Sequence, residues 1–122
     1  MDRLKNNLSS ICLLLFIAVL IASFNNKPFV FDGGTINNPN VVIAPHTAPP
    51  PITATDASGC TGTVIYQWQQ SIDGKHFTGM PNANVASYNP GPLIKTTHFR
   101  RRAVCQGGGI AYTSNVATII VQ

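Results

Sequence analysis

The sequence predicts an all-β domain behind an export signal, and three observations carry that expectation. Beyond residue 24 the chain is rich in Thr, Val, Ile, Gly, Pro and Asn, and it contains no glutamate at all. Long helices draw on Ala, Leu, Glu and Lys, so this composition favours strands. Short β-forming runs alternate with turn signals roughly every 8 to 12 residues, the rhythm of a sandwich. Two cysteines, Cys60 and Cys105, lie beyond the leader, an even number of the kind that pairs in exported chains.

The leader comes first. Arg3 and Lys5 give a basic start, and residues 11–24 (ICLLLFIAVLIASF) form a 14-residue run without a charge. Crossing a bilayer takes about 20 apolar residues, so the run suits the helical core of a signal peptide. Ala22 and Ser23 are small enough for cleavage, while Leu20 and Ile21 are imperfect two positions before each; an uncleaved signal anchor is the alternative reading of residues 1–24. Cleavage after Ser23 leaves roughly a hundred residues, the size of one immunoglobulin-type sandwich. Residues 25–32 read as a linker, and residues 33–122 as the domain.

Within the domain, residues 40–44 (NVVIA) make the first strand, and the proline-rich stretch 45–51 ends it, since proline cannot donate to a ladder. Residues 52–57 (ITATDA) make the second. Residues 63–71 (TVIYQWQQS) are the strongest, with alternation placing Val64, Tyr66 and Trp68 on one face, expected to be core. Asp73-Gly74 reads as a tight hairpin turn with positive φ at both central residues, followed by a return strand over residues 76–80. A short strand at 86–88 ends at Asn89-Pro90-Gly91-Pro92. Residues 96–104 (TTHFRRRAV) place Phe99, Arg101 and Ala103 on an inner face, with Arg101 expected either to run along apolar surface and carry its charge elsewhere or to stack on an aromatic such as Trp68. His98, Arg100 and Arg102 take the outer face. Residues 106–109 turn, and residues 111–121 form a final strand whose apolar surface comes from Val116, Ile119 and Val121. About seven antiparallel strands result, an immunoglobulin-like β-sandwich with Tyr66, Trp68 and Phe99 at its centre.

In that architecture the Trp68 and Phe99 strands are antiparallel neighbours, so Cys60 before one and Cys105 after the other meet at one rim. A disulfide there clamps two loops at the end of the sandwich. A metal site is the weaker alternative, because no His or Asp lies at ligand spacing from either cysteine.

The chemistry-bearing residues are few. The carboxylates beyond the leader are Asp32, Asp56 and Asp73, short of the paired acids of a glycosidase, and Asp73 is absorbed by its turn. His46, His76 and His98 pair with no obvious nucleophile motif. The net charge of +4 is mild; it gives no argument for nucleic acid and leaves weak attraction to acidic surfaces. Arg100-Arg101-Arg102 cannot form one patch on a strand, but His98, Arg100 and Arg102 make a candidate binding stripe. Gly107-Gly108-Gly109 has no helix start behind it and reads as a loop, not a phosphate cradle.

Taken in order, Gly33-Gly34-Thr35-Ile36, Tyr66-Gln67-Trp68-Gln69-Gln70-Ser71 with Asp73-Gly74, Tyr88-Asn89-Pro90-Gly91, Thr96-Thr97-His98-Phe99-Arg100-Arg101 and Tyr112-Thr113-Ser114-Asn115-Val116 resemble the immunoglobulin-like modules of large secreted and cell-surface proteins of Bacteroidetes. The resemblance spans residues 33–121. It implies a spacer, stalk or adhesive unit that occurs beside other domains, and it names no ligand-binding residue. The expectation is therefore a non-catalytic structural or adhesive module without a cofactor, secreted or held at the cell surface or in the periplasm. Its partner would be a protein or glycan, and it would touch membrane only through residues 1–24 if these stay attached. The alternative is a small binding module that recognises a glycan or acidic polymer through the loop end or the basic stripe.

Overall fold

A computed structural model describes residues 30–122, so the expected signal helix lies outside the described residues. These residues are all-β, with no helix. They form β1 (Asn40–Ile43), β2 (Val64–Ser71), β3 (Thr78–Gly79), β4 (Thr97–Cys105), β5 (Ile110–Tyr112) and β6 (Ala117–Val121). One mixed sheet runs β1-β6-β4-β2-β3, with β5 on the β6 side of β4. Not every pair is antiparallel: β1 runs parallel to β6, from Asn40 opposite Thr118 to Ile43 opposite Val121. Alternation within a strand says which residues share a face, but it carries no information about a neighbour's direction.

The spine of the sheet is the long pairing of β2 with β4, from Val64 opposite Cys105 to Ser71 opposite His98. Both strands are rich in β-branched and aromatic residues, and β4 alternates buried and half-buried along its whole length. Trp68 and Phe99 are fully buried, and Tyr66 is half-buried. Trp68 anchors more than its own strand: its Nε1 donates to the Val85 carbonyl at 2.9 Å, and its backbone bonds to Met80 and Ala83.

The layer facing this sheet is irregular. Residues 52–57 and 86–88, expected as strands, pair with other segments only as isolated bridges, Ile36 to Ala54 and Ile52 to Tyr88. Prolines at 49–51, 90 and 92 remove backbone donors where these segments begin and end, which keeps the pairing from extending into ladders. The layer still supplies core: Ile36 and Ile52 are buried against Trp68, Phe99 and Ile119. Asp32, in the expected linker, exchanges two backbone hydrogen bonds with Ser58, so the folded body includes it. The expected last strand is two, β5 and β6, broken at residues 113–116. Ile119 is buried, but Val116 falls in the break and is more than a third exposed.

The β2–β3 connection is not a two-residue hairpin with positive φ at both centres, because only Gly74 has positive φ, at 75°. Asp73 instead organises a wider loop, its Oδ1 accepting from the Lys75 and His76 backbone N–H groups and from the Ser71 hydroxyl, each at 2.8 Å. At the opposite rim, Cys60 and Cys105 form a disulfide with Cα atoms 5.7 Å apart. Thus the start of β2 and the end of β4 are tied.

Candidate functional site

Strand β4 presents an arginine to each side of the sheet. Arg101 points inward and is completely buried. Its charge does not travel to the surface; three backbone carbonyls surround it instead. Nη1 donates to Ala86 at 2.9 Å, and Nη2 donates to Gly33 at 3.0 Å and to Thr55. The guanidinium carbon lies 4.1 Å from the Tyr66 ring centre and 5.9 Å from that of Trp68, within cation–π range of both. Among the described residues Nε has no hydrogen-bond partner. Burial pulls the Arg101 pKa below its ordinary value, while Tyr66 and Asp56 pull it upward; a guanidinium nevertheless stays protonated in proteins.

The residues around this guanidinium come from segments far apart in the chain. Gly34 has φ of 86°, and a Cβ there would strike the Thr55 carbonyl and the Arg101 Nη2; a Cβ at Gly33 would strike the Tyr112 carbonyl. Two glycines in succession therefore let the backbone pass between Arg101 and β5. The same segment is stitched to residues 113–115. The Ile36 N–H donates to Asn115 Oδ1 at 2.7 Å, Asn115 Nδ2 donates to the Ile36 carbonyl at 3.0 Å, and the Ser114 N–H donates to Gly34. Asn115 thus imitates a paired strand where β5 has ended. Thr113 Oγ1 accepts from the Arg101 backbone N–H at 3.2 Å. Nothing local in the sequence marks Asn115 or Gly33 for these roles; the signal is only their presence in an ordered series of short motifs.

The outer face carries the candidate stripe, His98, Arg100 and Arg102, all half-buried. Arg100 is the organised member. Its carbon lies 4.2 Å from the Phe77 ring centre and 4.1 Å from that of Tyr112. The rings approach from opposite sides of β4, since Phe77 precedes β3 and Tyr112 ends β5. Arg100 Nε donates to Gln69 Oε1 at 2.7 Å, which fixes the plane of the group. Its terminal nitrogens have no hydrogen-bond partner among the described residues. His98 is tied through Nδ1 to Thr118 Oγ1 at 3.0 Å. Toward the disulfide rim the stripe gives way to Ile65, Val104 and Ile110, aligned across β2, β4 and β5, with Ile65 and Ile110 about half exposed.

Two concavities adjoin this face. One, of about 600 Å³, lies at the disulfide rim between Phe31, Thr61, Cys105 and residues 107–110. The other, about 420 Å³, is formed by the β2–β3 loop and contains the Asp73–His76 pair, 2.6 Å apart and exposed. The His76 side chain, then the His76 and Lys75 backbone N–H groups and the Ser71 hydroxyl, hold the Asp73 carboxyl well below its usual range, and Asp73 raises His76 in return. A nucleophilic triad places imidazole between hydroxyl and carboxylate; here the carboxylate stands between Ser71 and His76, so His76 cannot take the Ser71 proton. Among the described residues no three His, Cys, Asp or Glu side chains gather as a metal site.

The sequence model of a family described as a domain of unknown function, DUF8696, matches residues 32–122. That is most of the chain, and the chain belongs to this family. No curated protein matches it.

Proposed function

We propose that this DUF8696 member is a non-catalytic, immunoglobulin-like module of an exported or cell-surface bacterial protein, similar to those of Bacteroidetes, serving as a spacer or contact unit. One observation carries the reading: the short motifs of the sequence converge on architecture. Gly33-Gly34, Tyr66 and Trp68 meet around the buried Arg101 guanidinium, and Thr113 to Asn115 bond the Arg101 backbone and the Gly34–Ile36 segment beside it. A motif series whose residues surround a sealed interior encodes a scaffold. The Cys60–Cys105 bridge supports export, since such bonds persist in oxidising compartments.

Fractionation of expressing bacteria tests this. The protein should leave the cytoplasm, carry no free thiol at Cys60 or Cys105, and begin near Ser23, Phe24 or Asn25. Recovery in the cytosol with both thiols free would overturn export. Intact Met1 in a membrane fraction would replace cleavage by the anchor reading.

A second reading, recognition of an acidic partner, is favoured by the outer face, where Arg100 is held rigid with its terminal nitrogens open.

A further inference from the structure

We infer that the outer face of β4 is a docking strip for an extended acidic polypeptide, with Arg100 as its anchor; this rests on the reading of the module as a binding unit. Ordinary surface arginines sample many rotamers and lose that freedom when they bind. Arg100 has already lost it, clasped by Phe77 and Tyr112 and oriented by Gln69. What remains available is the terminal edge of the guanidinium, the part that takes a carboxylate through two parallel hydrogen bonds. Among the described residues no carboxylate competes for it, the only ion pair there being Asp73–His76.

Spacing selects the form of the acid. His98, Arg100 and Arg102 share the outer face at alternate positions of one strand, so they repeat every roughly 6.4–6.8 Å. An extended polypeptide with acidic residues at every second position has the same repeat, so successive carboxylates meet Arg100 and Arg102, with the His98 ring at the next position. Beyond Arg102 the half-exposed Ile65 and Ile110 offer an apolar step for a non-acidic residue at the same register. A uronic-acid polymer fits less well, because the rings on which a sugar would stack each give a face to Arg100.

The test uses the processed full chain and three probes in low and physiological salt: a ten-residue peptide alternating Glu and Thr, the same peptide with Gln for Glu, and polygalacturonate. Calorimetric titration should show binding of the alternating Glu peptide that weakens as salt rises, and no binding of the Gln version. Arg100→Ala and Arg102→Ala should each weaken binding by roughly tenfold, while Lys95→Ala, off the strip, should leave it unchanged. Gln69→Ala should weaken it less than Arg100→Ala. Equal binding by wild type and Arg100→Ala would remove the anchor while leaving a binding module. Binding of polygalacturonate alone would overturn the polypeptide and keep the acidic-partner reading. Silence from all three probes would overturn both and leave the spacer.

Discussion

Arg100 and Arg101 are adjacent in sequence, identical in chemistry, and opposite in circumstance. Arg101 sits among three carbonyls and two aromatic rings with no solvent exposure; Arg100 sits between two other rings on the outer face, with its terminal nitrogens open. Both are clasped by aromatics, and among the described residues neither has a carboxylate partner. The difference lies in what the backbone supplies: carbonyls from three segments converge on Arg101, and among the described residues none reaches Arg100. A run of three arginines is therefore not one basic feature. Strand parity divides it into a structural centre and a surface, and only the surface is free to meet another molecule.

Removing Arg101 should produce the largest effect. Arg101→Ala leaves the Gly33, Thr55 and Ala86 carbonyls without their donor and opens a cavity, a loss of about 3–5 kcal/mol in urea unfolding. Arg101→Met keeps most of the volume and removes the charge. Full recovery of stability in that variant would mean that packing, not carbonyl recognition, gives Arg101 its role. Trp68→Ala should cost a similar amount, about 3–5 kcal/mol, and an unchanged unfolding midpoint would contradict its burial.

The disulfide comes next. Cys60 and Cys105 are separated by 45 residues, and replacing both by serine should lower stability by about 4 kcal/mol in the chain-entropy account. Asn115→Ala should cost about 1–3 kcal/mol, by leaving the Ile36 backbone groups without partners. For the outer arginine the expected loss of stability is small, about 1 kcal/mol or less, because exposed cation–π contacts are weak. If Arg100→Ala proved as damaging as Arg101→Ala, the contrast between the two faces would collapse.

The smallest effect is the pH dependence of the β2–β3 loop. Asp73 is lowered on folding, so its contribution is complete above the ordinary value of 3.8 and fades as pH falls through the folded value. His76 is raised, so its contribution is complete below 6.5 and fades as pH rises through its folded value. The pair therefore contributes most between those two ordinary values. Asp73→Asn should flatten the stability profile on both sides of that window, and an unchanged profile would show that solvent screens the pair completely.

How legible this fold is from sequence depends on whether the deciding contact is local. The inner faces of β2 and β4 are readable because alternation is a local property, and Cys60 with Cys105 is readable because both flank strong strands. Arg101 stacking on an inner aromatic is readable from the same parity, but its carbonyl partners are not, since they belong to Gly33, Thr55 and Ala86. Nor is the break between β5 and β6, where Asn115 pairs with Ile36 at a separation of 79 residues. The Asp73 loop is intermediate: the turn is visible in Asp-Gly, but its width follows from which backbone N–H groups reach the carboxylate. The outer stripe is readable as a parity, while the rings that immobilise Arg100 come from Phe77 and Tyr112 on either side.

The parallel contact between the two ends of the domain has a mechanical meaning. Gly34 bonds to Ser114, Ile36 to Asn115, Pro39 to Thr118 and Ile43 to Gln122, so the leading and trailing segments lie side by side, pointing the same way. The leading end, at Val30 and Phe31, sits by the disulfide rim, and Gln122 lies at the other pole, where Val121 bonds to Thr96. Tension between these poles slides one segment along the other and strains all of those bonds together, where a hairpin would open them singly. Should the seam tear, the bridge between Cys60 and Cys105 still withholds the 45-residue span between them. At the length of an extended chain that is roughly 150 Å of slack the domain never pays out.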